Sequence, residues 1–135
     1  WSKMTSRWKK SKSYHRITNI AQLIDFLYYH GPVIVGVLVF STWGRTGRGG
    51  FVDLPSDRER PQGGHAIPII GYDKSPERAR DKKLFFKNSW GTNWGDNGFG
   101  WFSWKYWQKY ALDTWAMVDT DITRDQVQGD YKGLD

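Results

Sequence analysis

Side chains that commonly carry chemistry are scarce in this chain of 135 residues. There is no cysteine, so the chain supplies no thiol nucleophile, disulfide, thiolate zinc site or CxxC redox pair. The only glutamates, Glu59 and Glu77, fall in polar turns, and no carboxylate pair has a spacing suited to acid–base work. His15, His30 and His65 are too far apart to form a metal motif, and HExxH, GxGxxG, GxSxG and the phosphate-binding GxxxxGKS/T are all absent. No metal or cofactor is expected. What remains is Gly63-Gly64-His65-Ala66-Ile67 and, 23 residues after the histidine, the string from Asn88 through Ser89-Trp90-Gly91 to Gly98. An imidazole is the side chain best suited to moving protons near neutral pH. Taken alone, however, a histidine at the start of an apolar strand reads as structural.

Taken together, the two segments resemble the histidine and asparagine motifs of the papain-like (C1) cysteine peptidases. The string Asn-Ser-Trp-Gly-x-x-Trp-Gly-x-x-Gly from Asn88 to Gly98 is long enough to make chance agreement improbable. The resemblance extends over about residues 14–118 and includes Gly31-Pro32-Val33 and the Trp-Ala-Met ending at Met117, the latter similar to bacterial members. It implies an α+β fold, the right-hand half of the family's two-halved structure. That half is a mainly antiparallel, barrel-like sheet with one N-terminal amphipathic helix, and a left-hand half supplies the nucleophilic cysteine and the oxyanion-hole glutamine. His65 then resembles the imidazolium that activates the thiol and protonates the leaving amine, and Asn88 the amide that holds its ring without adding a full charge. Trp90 would cover that bond from water, and Gly64 and Ala66 match positions bordering the pocket for the substrate's second residue before the cut. The implied partners are a peptide or protein substrate and a Cys-bearing half. Neither cysteine nor a family-like glutamine is present, so this chain alone is expected to be inactive. The alternative is a catalytically inactive papain-like module that binds proteins.

The elements that must position these residues are legible in outline. Asn19 reads as an N-cap, with Gln22 at the third helical position and Ile20, Leu23, Ile24 and Leu27 recurring at helical spacing until Gly31-Pro32. Val33 to Phe40 is a β-branched apolar strand, and Ser41 to Gly63 a long, mostly surface loop of the kind that carries function. His65 to Tyr72 is the next strand, in which Pro68 argues for an edge or a bulge. Leu84 to Asn88, Phe99 to Trp104 and Thr114 to Val118 follow, the first two separated by a glycine-rich turn. Ser103 is placed to cap a helical turn whose Trp104, Trp107, Tyr110 and Ala111 share a face. Core packing is expected of Trp101, Trp104, Trp107 and Trp115, while Trp90 and Trp94 are expected near a face that a partner half would cover.

Charge divides the chain into three. The formal net charge is +6, and residues 1–16 hold the whole excess in Lys3, Arg7, Lys9, Lys10, Lys12 and Arg16, without an acid. With Trp1, Trp8 and Tyr14 interleaved, this basic arm is read first as a linker, with nucleic-acid binding as the alternative. Residues 17–118 form the half-domain, and 119–135 an acidic tail or linker with five Asp. No apolar run approaches the ~20 residues of a membrane-spanning helix, so no membrane partner is expected. The absence of cysteine and of a visible signal peptide points to a reducing, cytoplasmic compartment.

Overall fold

A computed structural model describes residues 12–73 and 82–119. The elements run β1 (Lys12–Arg16), α1 (Ile20–Tyr29), β2 (Val33–Val39), β3 (Gly63–Asp73), β4 (Lys83–Lys87), β5 (Phe99–Ser103), α2 (Trp104–Tyr110) and β6 (Ala111–Asp119). Most of the basic arm, residues 1–11, and the tail from 120 lie outside the described residues. The last five residues of the arm form β1, an edge strand, because KSYHR pairs with β6 from Lys12↔Asp119 to Arg16↔Trp115.

One antiparallel sheet of six strands, in the order β1-β6-β2-β3-β4-β5, carries the fold. It is α+β, as expected, but the sheet is open rather than closed into a barrel, with β1 and β5 at its margins. The free edge of β5 is covered by the long loop: Trp101 N donates to Gly50 O at 2.7 Å and Val52 N to Trp101 O at 2.8 Å. Pro68 lies on β3, between β2 and β4, not at an edge. The β3–β4 ladder begins only at Ile69, next to a register shift between Ile69 and Gly71, so the ladder does not extend to the missing N–H of Pro68.

Alternation along β2 buries Val33, Val35, Val37 and Val39 and leaves Ile34 half exposed. The same face continues on β3 through Ile67 and Ile69 and on β4 through Leu84 and Phe86, all buried. Helix α1 lays Leu23, Ile24 and Phe26 on this core, and its start is tied by Asn19 Oδ1, which accepts from Gln22 N at 2.9 Å. Thr18 N donates in return to Gln22 Oε1 at 3.0 Å. Ser103 caps α2 as expected, accepting from Tyr106 N at 3.1 Å, but the helix buries Tyr106 together with Trp107.

Two expectations about aromatics change. Trp115 is 41% exposed, because β6 alternates and it is Thr114 and Ala116 that face the core. The loop after β2 is not mostly surface at its start: Ser41–Trp43 is a 3-10 turn in which Thr42 and Trp43 are buried. Trp101 and Trp104 are half buried. None of the described helices is long and apolar enough to cross a membrane.

Candidate active site

His65 sits near the start of β3, opposite Val37 of β2, on the strand face that also bears Ile67 and Ile69. Asn88 follows directly on β4, and its backbone N–H donates to Gly98 O at 2.9 Å, which closes the glycine-rich turn back onto the strand end. Gly98 adopts φ +92°, a conformation that disfavours other residues, and its own N–H returns to Trp94 O at 2.8 Å. The turn therefore holds Asn88 at a fixed height beside β3.

Across this junction His65 Nε2 and Asn88 Oδ1 are 2.8 Å apart. The same Oδ1 accepts the backbone N–H of Ser89 at 2.8 Å, which identifies it as the amide oxygen. Nε2 must then be the donor, so Nδ1 is the nitrogen left to exchange protons with anything that enters. Asn88 is only 5% exposed, so the bond that orients the imidazole is sheltered from competing water. Its Nδ2 is buried and has no partner among the described residues.

Two indoles bracket the imidazole. Trp90 stacks on it, with ring centroids 5.2 Å apart and planes 23° apart, and is itself 44% exposed. Trp43 meets it edge-on at 6.0 Å and 82°. Trp94, expected near an uncovered face, is instead half buried: it stacks on Trp43 at 5.8 Å and donates Nε1–H to Trp43 O at 2.8 Å. That packing requires a glycine at 100, where a Cβ would lie 2.6 Å from Phe86 Cζ and 2.8 Å from Trp94 Cη2. His65, Asn88 and Trp90 are thus brought together. Gly64 and Ala66 flank the histidine but, by strand alternation, lie exposed on the opposite face.

Trp43 is the residue that sequence reasoning missed. Phe40 and Trp43, three apart after an apolar strand, were the available signal that the chain stays in the core beyond β2. Trp43 Nε1 donates to Tyr106 Oη at 2.7 Å, and Tyr106 Oη donates to Leu38 O at 2.7 Å. Burial pushes the Tyr106 hydroxyl up to about 12, partly offset by the hydrogen bond from Trp43.

The side chains bonded to or packed against the imidazole, Asn88, Trp90 and Trp43, are uncharged. The one ion pair among the described residues, Arg45–Glu59 at 2.9 Å, lies in the long loop. Glu59 Oε1 also accepts from the Ser41 hydroxyl, and Oε2 accepts from Ser56 N at 2.6 Å. These bonds, that of Ser41 foremost, then that of Arg45, hold the carboxyl down to about 2 and tie the loop across its own neck. No group of acidic or histidine side chains able to hold a metal occurs among the described residues. What the arrangement offers is an oriented imidazole, able to accept a proton at Nδ1 and return it, without a nucleophile of its own.

Comparison with known proteins identifies the family and the fold. A family model described as papain family cysteine protease matches residues 2–119. An uncharacterized peptidase C1-like protein of Acanthamoeba polyphaga mimivirus is 33% identical over 92 residues, which cover 65% of this chain and 28% of that protein. Cysteine proteinase 1 of Zea mays is 37% identical over 83 residues, 58% of this chain and 21% of its own length. Among solved structures, xylellain, a cysteine protease from the bacterium Xylella fastidiosa, superimposes with a TM-score of 0.68 at 28% identity, covering 82% of this chain and 40% of that one. The bromelain protease of Ananas comosus shares the fold at 22% identity, with a TM-score of 0.57. The chain thus spans less than half the length of each of these two structures and under a third of the two relatives.

Proposed function

Because the chain belongs to the papain family of cysteine proteases, we propose that it supplies the histidine and asparagine of a peptide-bond-hydrolysing site whose thiol is carried by a Cys-bearing half. The observation that supports this reading is the 2.8 Å bond from His65 Nε2 to the identified oxygen of Asn88, which leaves Nδ1 as the working nitrogen. In the first step Nδ1 takes the thiol proton, and the thiolate attacks the scissile carbonyl carbon. The C–N bond then breaks as Nδ1–H⁺ gives its proton to the departing amine, leaving a thioester. In the second step Nδ1 takes a proton from water, hydroxyl oxygen adds to the thioester carbon, and the acid product leaves as the thiol is restored. Through both steps the imidazole alternates between neutral and charged forms, and Asn88 accepts from Nε2–H in either.

The sheet face opposite His65 is where the Cys-bearing half would dock. Trp115 and Ile34 are paired across β6 and β2, and Met117 and Tyr14 across β6 and β1. All four point to one side and are between 41% and 66% exposed. A contiguous apolar surface of this kind on a chain that spans so little of its relatives is suited to a permanent partner rather than to water.

The test is reconstitution. The purified chain should not turn over fluorogenic peptides, and adding a Cys-bearing half should produce turnover that His65→Ala abolishes. Complex formation without turnover would instead favour an inactive protein-binding module.

A further inference from the structure

One buried hydroxyl takes no part in the proton transfers and yet is bonded in both directions beside them. Tyr106 is fully buried; its Oη accepts from Trp43 Nε1 and donates to Leu38 O, each at 2.7 Å. Both ends of that bridge adjoin the imidazole. Leu38 of β2 is the partner of Gly64, one step along from the pairing of Val37 with His65, and the Trp43 ring meets His65 edge-on. The path closes on itself: from His65 across the ladder to β2, through the Leu38 carbonyl and the Tyr106 hydroxyl to the indole, and back to the imidazole.

A phenylalanine at 106 would fill nearly the same core space. Burying a hydroxyl costs free energy unless it is bonded, and the bonds of this one hold the plane of a single indole. Trp43 stands at the end of a three-residue turn, Ser41–Trp43, whose backbone bonds, Trp43 N to Phe40 O at 3.1 Å and Gly44 N to Ser41 O at 3.0 Å, fix the main chain and not the ring. Trp94 Nε1 likewise holds the Trp43 carbonyl. The indole has one N–H, and Tyr106 takes it. Trp43 in turn touches both His65, at 6.0 Å, and Trp90, the ring stacked on His65, at 5.8 Å and 62°. Tyr106 is itself placed by the cap of α2, where Ser103 Oγ accepts its backbone N–H at 3.1 Å, and by Phe102, whose ring lies 5.1 Å away and within 7° of parallel.

We propose that Tyr106 is a positioning residue for the His65 imidazole: through Trp43 it fixes the slot in which the ring stands, although it makes no bond or ring contact with His65 among the described residues. Its value for catalysis rests on the reading of His65 as the proton carrier; its hold on the ring does not. Without the hydroxyl, Trp43 Nε1–H loses its acceptor, the indole is no longer held in one plane, and Trp90 and His65 lose a fixed neighbour. Nε2 then spends less time in line with Asn88 Oδ1, and Nδ1 less time aimed at a thiol.

The test has one readout on the chain alone and one on the assembled site. In the chain alone, NMR should show the His65 Nε2–H proton exchanging with water about tenfold faster in Tyr106→Phe, as expected for the loss of one hydrogen bond. Trp43→Phe, which keeps an aromatic ring and removes the indole N–H, should speed exchange at least as much, and adding Tyr106→Phe to it should change the rate by less than about twofold, because the path is already cut. Ile24→Val, a core change on α1, controls for general loosening and should leave exchange as in the wild type. With a Cys-bearing half, Tyr106→Phe should lower kcat about tenfold and leave KM within about twofold, since no substrate contact is touched. Exchange unchanged in Tyr106→Phe while its thermal midpoint falls, effects of Tyr106→Phe and Trp43→Phe that add, or exchange equally fast in Ile24→Val, overturns the proposal. Selectively faster exchange with no turnover in any assembly supports the hold on the ring and defeats the catalytic reading alone; turnover whose kcat Tyr106→Phe leaves unchanged overturns the proposal and leaves that reading intact.

Discussion

Trp43 stands edge-on to His65, ring centroids 6.0 Å apart and planes at 82°, while its own N–H is committed to Tyr106 Oη at 2.7 Å. One fully buried side chain therefore belongs both to the wall of the site and to the centre of the core, where it also meets Phe86 and Phe102. The histidine is held from the strand side by β3, from one edge by Asn88 and from beneath by this indole. A change in the core at Trp43 must be felt at the imidazole, because there is no intervening layer.

Trp43→Ala should cost about 3–5 kcal/mol of folding stability, the range for removing a large buried aromatic. It also strands Trp94, whose ring stacks on Trp43. Urea denaturation followed by circular dichroism measures the loss, and a cost below about 1 kcal/mol would contradict the central position given to Trp43.

Tyr106→Phe is a subtler change at the same point. It removes the acceptor of Trp43 Nε1 and the donor to Leu38 O, and should cost about 1–3 kcal/mol. Because folding raises this hydroxyl from 10.0 to about 12, the folded state binds the proton more tightly. The contribution is present in full below about pH 10 and lost as pH rises through about 12. Denaturation midpoints across that window should therefore fall more steeply in the wild type than in Tyr106→Phe, and parallel curves would count against the assignment.

Glu59 reports on acid in the same way with the opposite sign. Its carboxyl drops from 4.5 to about 2 on folding, so the stability it contributes is present above about pH 4.5 and disappears as pH falls towards 2. Glu59→Gln should lower the thermal midpoint at pH 6 and converge with the wild type near pH 2. A gap that persists at low pH would mean that the loop is tied by something other than these bonds.

How far the fold was legible depended on whether a pattern was local. Helix α1 was readable because its cap, its apolar spacing and its stop all lie within Asn19 to Pro32. The meeting of His65 and Asn88 was readable because each sits in a distinctive string. Trp115 was misplaced because strand alternation tells which residues share a face but not which face is covered, and here the covered face belongs to Thr114 and Ala116. β1 was hidden in a polar segment that becomes a strand by pairing with β6, about a hundred residues away in sequence. The burial of Trp43 and Val52 depends on β5, α2 and the glycine-rich turn, all distant in sequence; the spacing of Phe40 and Trp43 was the one local sign of it, and the Gly- and Arg-rich loop that follows outweighed it.

If a Cys-bearing half completes the proposed site, His65→Ala should abolish turnover, whereas Asn88→Ala should cost about 10- to 100-fold, since the two flanking indoles still restrain the ring after the amide is gone. Steady-state kinetics on both variants gives the order. Asn88→Ala as the more damaging change would reverse the roles.

The sheet face bearing Ile34, Trp115 and Met117 makes the last expectation. These side chains are exposed at 50%, 41% and 49%, and a chain that must keep them in water has reason to associate. If the Cys-bearing half covers them, placing a charge there removes apolar burial and also leaves a lysine to be desolvated, so Ile34→Lys with Met117→Lys should weaken association by well over tenfold. Both residues lie on the side of the sheet away from the core, so the isolated chain should keep its own denaturation midpoint within a small margin. Sedimentation and calorimetric titration with the Cys-bearing half measure the two effects separately. Association undiminished by both lysines would place the partner elsewhere, and a collapse of the chain's own stability would mean that this face is already covered from within.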